Sequence, residues 1–182
     1  MKVLAFSSSN SKHSINRVLA TYAANLIEGA TVEVLDIHDY ELPLFSPERE
    51  AELGHPQLAR DFLDKIAEAD ALVISHAEHN GSYTAAFKNL FDWASRGDRK
   101  VFQDKPTLLL ATSPGPGGAK NVLAHAETSA PHFRAEVVAA ISVPKFQDNF
   151  DVANNTLTNS DIHAQLLAAI EMLRKASKRS VS

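Results

Sequence analysis

Five short apolar runs alternate with longer amphipathic segments along this chain, and this alternation limits the fold more than any other feature of the sequence. The runs lie at 3–6, 31–37, 71–75, 106–113 and 135–143. Most of them are apolar at nearly every position, which is typical of strands that are covered on both faces of a parallel sheet. They predict five β-strands.

The segments between the runs predict five helices. Apolar residues recur at helical spacing over 15–26, over 58–66 behind a proline, over 87–94 and over 162–173, and a weaker pattern begins near Gly118. The last helix ends in bases that suit the negative end of its dipole, namely Arg174, Lys175, Lys178 and Arg179. We expect 41–56 and 144–160 to be long surface loops. The repeated β-α order predicts a doubly wound, three-layer α/β sandwich.

Length, charge and composition exclude several classes of protein. With 182 residues, of which 45% are hydrophobic, the chain is expected to form one domain, 1–182, with a substantial core. A formal net charge of -4 gives no basic surface for nucleic acid. The absence of cysteine rules out disulfides and thiolate chemistry. No apolar run is long enough for a signal peptide or a membrane span, so we expect a cytoplasmic protein that does not bind membranes.

Three polar loops follow the first, third and fourth predicted strands. They read SSSNSKHSIN at 7–16, SHAEHNGSYT at 75–84 and TSPGPGGAKN at 112–121. In open α/β sheets, ligands bind beyond the carboxyl ends of the strands, at the point where the strand order reverses. We therefore expect the three loops to meet in space and to form a ligand site.

The first loop has the composition of a phosphate cradle. Its hydroxyls and the N–H groups of a helix start can donate to a dianion. It has neither a Walker lysine nor a GxGxxG pattern, so a terminal phosphate fits better than a dinucleotide pyrophosphate. The alternative is that Ser14 only caps the helix and the other serines are solvated, and this loop alone does not decide between the two interpretations. The glycines and prolines of 112–121 are also typical of ordinary turns that bind no ligand, so this loop alone is weak evidence for a site.

Taken together, the loops and the helix after the second of them resemble a known family. Residues 8–17 are similar to its phosphate loop, and the more specific match is AEHNGS at 77–82 followed by FKNLFDWAS at 87–95. The chain resembles the NAD(P)H-dependent FMN reductases, which include quinone, azo-dye and chromate reductases. This resemblance implies a flavodoxin-like fold with strand order 2-1-3-4-5, FMN as cofactor, and NADPH or NADH as co-substrate.

The resemblance also implies which residues bind the cofactor. Ser9, Ser14 and Asn16 are expected to donate to the FMN phosphate, the 77–82 loop to contact the ring edge mainly through its backbone, and the 113–118 loop to stabilise negative charge near N1 and O2. No catalytic side chain and no metal are expected, because the flavin carries the reaction. The full predicted set is Ser9, Ser11, Ser14, Ile15, Asn16, Ala77, Glu78, His79, Asn80, Gly81, Ser113, Pro114, Gly115, Gly117 and Gly118.

The implied reaction has two halves. Hydride passes from NAD(P)H to flavin N5, and the reduced flavin then gives electrons to a free flavin, a quinone, an azo compound or a metal oxyanion. Because only one flat site is indicated, the two substrates are expected to alternate in a ping-pong mechanism. The resemblance further implies a homodimer or a homotetramer.

The sequence departs from the family pattern at four positions. Ser8 replaces a common glycine, Ser11 an arginine, Ala77 a proline and His79 a tyrosine. Loss of the arginine removes a positive charge near the phosphate. We expect the FMN affinity to be modest unless Lys12 or Arg17 supplies that charge.

Other residues have structural interpretations that we consider stronger than functional ones. His76, Glu78 and His79 do not have the HExxH spacing of a zinc site. Asp36 is interpreted as a strand-end or turn residue rather than a ribose ligand. Trp93 is either a core residue or part of a subunit interface.

Two other functions compete with the reductase. A flavodoxin-type electron carrier would bind FMN without nicotinamide chemistry, but such carriers tend to be strongly acidic and to sandwich the ring between aromatic side chains. This chain is near neutral, and 112–121 contains no aromatic residue. A nucleotide-binding sensor with the same fold is the other alternative, and a yellow preparation would exclude it.

Overall fold

The sheet is five-stranded, parallel and ordered β2-β1-β3-β4-β5. The computed structural model describes residues 1–179. Its strands are β1 Lys2–Ser7, β2 Thr31–Leu35, β3 Ala71–His76, β4 Pro106–Thr112 and β5 Glu136–Val143. The predicted five strands and their order are confirmed.

Burial along the sheet follows from that order. Every residue of the central strands β3 and β4 is buried, whereas the edge strand β2 is buried only at Leu35. Side chains of a strand alternate between the two faces, so a strand that is apolar throughout needs a cover on both. The apolar runs in the sequence therefore indicate that helices cover both faces of the sheet.

Helices cover both faces. Helices α1 and α7 pack on one face around Leu19 and Leu173, and α3, α4 and α5 pack on the other around Phe62 and Leu90. Within residues 1–179, no helix is long and apolar enough to cross a membrane. The helices are α1 Ile15–Asn25, α2 Pro47–Leu53, α3 Gln57–Glu68, α4 Ala85–Gly97, α5 Lys120–Ser129, α6 Phe146–Asn149 and α7 Ser160–Arg179, with 3₁₀ helices at Ile37–Tyr40 and Ala130–Phe133.

The two segments expected to be long loops contain regular structure. Helix α2 lies within 41–56, where Ser46 caps it and Pro47 occupies its first turn. The segment 144–160 contains α6 and a two-stranded hairpin, β6 Phe150–Asp151 and β7 Thr156–Leu157. The expectation of irregular structure was wrong in both places. Helix α2 buries none of its residues, so it has no apolar stripe by which the sequence could reveal it.

Candidate functional site

The three polar loops lie side by side at one edge of the sheet. Strands β1, β3 and β4 are consecutive neighbours in the parallel sheet, so their carboxyl ends lie together. The loops that leave these ends are 8–14, 77–84 and 113–119. As expected, the loops meet in space, and hydrogen bonds of Ser8, Asn16 and Glu78 tie them and the adjoining elements together.

Ser8 joins the first loop to the second. Its backbone N–H donates to the Ser75 carbonyl at 3.0 Å, and its buried hydroxyl accepts from the Ala77 N–H at 2.9 Å. The Thr84 hydroxyl donates to the Ser8 carbonyl and also accepts from Phe87 N–H, so Thr84 caps α4 as well. The glycine that is common here in the family would lack the bond to Ala77. Ser8 thus fixes the two loops relative to each other.

Asn16 joins the first helix to the third loop. Its side-chain oxygen accepts from the Thr112 N–H at 3.0 Å and from the Ser75 hydroxyl at 2.7 Å. Its side-chain nitrogen donates to the Thr112 carbonyl at 3.1 Å. The side chain is buried and turned into the protein, so the group that Asn16 can present to a phosphate is its backbone N–H.

The hydroxyls of the first loop shape the loop and keep protons to donate. The Ser9 hydroxyl accepts from Ser11 N–H at 3.1 Å, and the Ser11 hydroxyl accepts from His13 N–H at 3.3 Å. Within residues 1–179 neither hydroxyl has an acceptor for its own hydrogen. Ser14 caps α1 by accepting from Arg17 N–H at 3.2 Å and also contacts the Ser7 hydroxyl at 3.1 Å.

The start of α1 offers free backbone donors beside these hydroxyls. Residues at the first positions of a helix have no carbonyl partner in the preceding turn. In the described part of the chain, no acceptor reaches the N–H of Ile15 or Asn16. Two free N–H groups at a helix start and two free serine hydrogens form an anion-binding arrangement.

The positive charge expected near this loop is only partly available. The Arg17 guanidinium pairs with Asp36 and donates to the Lys12 carbonyl at 2.6 Å. Arg17 therefore braces the loop from outside, and Lys12 is an exposed cation within the loop. Asp36 caps the 3₁₀ helix Ile37–Tyr40 by accepting from His38 N–H at 3.0 Å, as expected of a strand-end residue.

The second loop is a tight turn with exposed backbone at its tip. His79 and Ser82 exchange backbone hydrogen bonds of 3.0 and 3.1 Å, with Asn80 and Gly81 between them at φ 52° and 78°. Two successive positive φ values define a type I′ turn, which favours Asn-Gly. The N–H groups of Asn80 and Gly81 have no partner in residues 1–179. The predicted backbone contacts to a ring edge have donors here.

Glu78 ties the second loop to the helix that follows the third. Its carboxylate accepts from Val122 N–H at 2.9 Å and from the Asn121 side chain at 3.2 Å. A carboxylate is stabilised at the positive end of a helix dipole. One donor of the first turn of α5 is therefore used by the protein itself, and the N–H groups left for a ligand belong to the loop before it.

The third loop is held against β5 at its end. The Gly118 carbonyl accepts from the Ser142 hydroxyl at 2.7 Å, and a Cβ on Gly118 would lie 2.2 Å from that oxygen. The Gly115 carbonyl accepts from Lys145 N–H at 2.9 Å, and the Ser113 carbonyl from Phe146 N–H at 3.0 Å. Pro114 and Gly117 are exposed between these anchors. The loop presents backbone rather than side chains to the site.

A cavity of about 260 Å3 borders the first loop at the same edge. It lies between Asn10, the segment 37–44 and the first turns of α4. Asn89 closes one side, where its amide nitrogen donates to the Leu42 and Pro43 carbonyls at 3.0 and 3.1 Å. Open space of molecular size thus adjoins the first loop at Asn10 and the start of α4.

The side chains that we interpreted as structural are placed as follows. No group of three or more His, Asp or Glu residues within 1–179 could hold a metal ion. Trp93 is fully buried, and its indole nitrogen donates to the Pro43 carbonyl at 2.7 Å, which makes it a core residue. His76 is also buried, and desolvation, with the nearby His125, lowers its pKa from 6.5 to about 3. It is therefore a neutral imidazole at pH 7.

Sequence reasoning did not identify the residues that bring the loops together. Ser75 is the penultimate residue of the apolar strand β3, and Thr112 is the last residue of β4. Ser8 and Thr84 lie inside the motifs without a family role. The available signal was a hydroxyl residue at the carboxyl end of an otherwise apolar buried strand. Such a group needs a buried partner, and here that partner is Asn16.

Comparison with known proteins identifies the same family that the sequence motifs resemble. The sequence model of the NADPH-dependent FMN reductase family matches residues 1–148. Over 125 residues, the chain is 34% identical to an NADPH:quinone oxidoreductase of Arabidopsis thaliana, with 66% of this chain and 62% of that protein covered. Over 126 residues, it is 34% identical to an NAD(P)H-dependent FMN reductase of Pseudomonas aeruginosa, with 69% of this chain and 66% of that protein covered. The chain thus spans less than two thirds of the length of either relative.

The fold is shared with solved structures. A flavoenzyme NAD(P)H:(acceptor) oxidoreductase from Paracoccus denitrificans superposes with a TM-score of 0.74 at 24% identity, over 96% of this chain and 98% of that one. This likeness confirms the predicted flavodoxin-like fold. FMN and NAD(P)H, the predicted cofactor and co-substrate, are those of the matched family. The chain belongs to the NADPH-dependent FMN reductase family.

Proposed function

We propose that this protein is an NAD(P)H-dependent FMN oxidoreductase that passes electrons to a quinone or a similar small acceptor. The observation that carries the proposal is the joining of three loops into one site by Ser8 and Asn16. Hydroxyl and N–H donors converge at one end of that site, and exposed loop backbone forms the other. Such a site fits a ligand with a terminal phosphate and a flat polar ring.

The phosphate end is the better defined half of the site. We assign the hydroxyls of Ser9 and Ser11, which keep a hydrogen to donate, and the backbone N–H groups of Ile15 and Asn16 to the phosphate. Ser14 holds the helix start in place and adds its hydroxyl from a buried position. Charge-assisted hydrogen bonds from such donors are about twice as strong as neutral ones.

The ring end uses backbone. When bound, FMN supplies the redox chemistry by taking a hydride at N5 and releasing electrons to the acceptor. The turn of 77–82 offers the N–H groups of Asn80 and Gly81 to the ring edge. The 113–118 loop offers the N–H groups of Gly115 and Gly117, which have no partner among residues 1–179 and suit negative charge near N1 and O2. The remaining predicted residues, Ala77, Glu78, His79, Ser113, Pro114 and Gly118, position these two loops.

We propose that NAD(P)H and the acceptor occupy the same place in turn. The chain shows no second nucleotide fingerprint, and neither of the ring-binding loops places an aromatic side chain over the exposed face. Shared occupancy gives ping-pong kinetics, with quinones, azo compounds, free flavin and metal oxyanions as candidate acceptors.

The assembly and the compartment are part of the proposal. We keep the homodimer or homotetramer implied by the family, which sedimentation of the purified protein measures. We place the reaction in the cytoplasm, where the co-substrate NAD(P)H is available.

Replacing two serines tests the phosphate end. In the double variant Ser9→Ala, Ser14→Ala, the Kd for FMN is expected to rise by roughly ten- to a hundredfold for each charge-assisted bond lost. Riboflavin, which lacks the phosphate, should bind equally to the variant and the wild type. Fluorescence quenching of each flavin on titration measures both constants.

A second cap serine gives a matched control. Ser46 caps α2 by accepting from Arg49 N–H at 3.1 Å, as Ser14 caps α1. Ser46→Ala should lower the free energy of unfolding by about 1 kcal/mol and leave the FMN affinity unchanged. An unchanged FMN affinity in the double variant, with its fold intact by circular dichroism, would reject the phosphate cradle.

A further inference from the structure

A second cavity lies between α4 and α5, where the 77–84 loop reaches it through Tyr83. Its volume is about 150 Å3, and half of its lining residues carry aromatic rings. Phe91 and Phe133 meet edge to face at a centroid distance of 4.7 Å, and Tyr83 and His125 at 5.0 Å. Cavities of about this volume with apolar walls can hold one benzene ring.

One polar group faces this aromatic enclosure without a partner. His76 ends β3, lines the cavity and is 2% exposed. Its ring contacts Phe87 edge to face and Tyr83 at a tilt, each at a centroid distance of 5.4 Å. Within residues 1–179 neither ring nitrogen has a hydrogen-bond partner, and Nδ1 is fully buried. A buried polar group left unpaired is costly, so its retention needs an explanation.

The charges around the cavity favour a neutral occupant over an anionic one. Burial keeps the pKa of His76 at about 3, so the ring bears no charge at neutral pH. Lys88 at the mouth is paired with both oxygens of Asp92 at 2.7 and 2.9 Å. The Tyr83 hydroxyl bonds the Ser129 hydroxyl at 2.9 Å. The occupant should therefore be neutral, aromatic and able to make a single hydrogen bond deep in the cavity.

We propose that the cavity between α4 and α5 is a second small-molecule site, which binds a neutral one-ring phenol whose hydroxyl pairs with the His76 imidazole. The neutral imidazole has one donor and one acceptor nitrogen, and a phenol can match either. His76 immediately precedes Ala77, whose N–H donates to the Ser8 hydroxyl, but the cavity that His76 lines opens between α4 and α5. It goes beyond the proposed reductase function and does not depend on it.

Phenol and toluene form a matched pair of probes, because they differ by a hydroxyl in place of a methyl group. In the FMN-loaded protein, phenol should bind about three- to tenfold more tightly than toluene. His76→Leu, of similar volume, should make the two affinities equal. Ala126→Leu, which fills the cavity from α5, should abolish binding of both. Amide chemical shifts followed during titration give each Kd and show which residues respond.

Three results would overturn the proposal. The first is a preference for phenol that persists in His76→Leu. The second is failure of the wild-type protein to bind either probe, which would mean that the cavity holds only water. The third is phenol binding that FMN displaces, which would assign the phenol to the flavin loops. If His76→Leu does not fold, comparing phenol and toluene binding between the wild type and Ala126→Leu still tests the proposal.

Discussion

Single hydroxyls and amides do most of the positioning at this site. Each of Ser7, Ser9 and Ser11 accepts the N–H of the residue two positions ahead. Such bonds replace the backbone pairing that a short polar loop lacks. Because a hydroxyl that accepts can still donate, Ser9 and Ser11 shape the loop and remain available to a phosphate, whereas the buried Ser7 hydroxyl contacts Ser14. This explains why the loop contains more hydroxyls than one helix cap requires.

The turn at Gly81 gives a prediction at the residue scale. Nothing lies within 4 Å of a Cβ built on Gly81, so space does not constrain it, but its φ is +78°. Gly81→Val places a β-branched residue in the left-handed region, at roughly 1–2 kcal/mol or more. We expect FMN affinity to fall about tenfold, measured by fluorescence titration. Gly81→Asn tolerates this φ and should bind FMN as the wild type does. Wild-type affinity in the valine variant would show that the turn backbone does not touch the ring.

At the scale of elements, α4 holds the segment 42–45 against the sheet. Asn89 accepts from the Phe45 N–H at 2.8 Å and donates to two carbonyls of the segment. Trp93, one turn later, donates to Pro43 and packs edge to face on Phe45 at 5.1 Å. The KNLFDW motif that carried the family resemblance thus has a structural role in which asparagine and tryptophan fasten one loop.

Trp93→Phe tests that role. The variant loses the indole hydrogen bond to the Pro43 carbonyl, which keeps its bond from Asn89, and it replaces a fully buried indole by a smaller ring. Together these losses should lower the free energy of unfolding by about 1–3 kcal/mol. Lys88→Ala on the exposed side of α4 removes only a surface ion pair and should cost about 0.5 kcal/mol or less. Urea unfolding at equilibrium measures both. Equal stability of the two variants would mean that Trp93 does not hold the segment.

The elements that could be predicted from the sequence are those with a large buried face. The strands β1, β3, β4 and β5 and the helices α1, α3, α4 and α7 have such a face, and the apolar pattern located them. The edge strand β2 was also located, although only Leu35 of it is buried. Helix α2 buries nothing, and the hairpin Phe150–Leu157 has strands of two residues, so neither leaves a periodic signal. The three site loops were located by strand order alone. Their mutual hydrogen bonds join residues up to 96 positions apart, and no local pattern encodes such pairs.

For the whole molecule, the central claim is that one flavin at this edge takes hydride from NAD(P)H and gives electrons to a second substrate. The sheet order brings the loops together, and the family match supports the chemistry. An electron carrier with the same fold would bind FMN equally well. Binding alone therefore does not separate the two functions, and reduction by the nicotinamide does.

Anaerobic stopped-flow mixing of the FMN-loaded protein with NADPH, and separately with NADH, tests this claim most directly. With at least one of them, the flavin absorbance should bleach in a single phase, and added quinone should restore it. Steady-state plots against quinone should then be parallel lines, while free FMN mixed with the same nicotinamide serves as the control. A bound flavin that stays oxidised with both NADPH and NADH would contradict the account and identify the protein as an electron carrier.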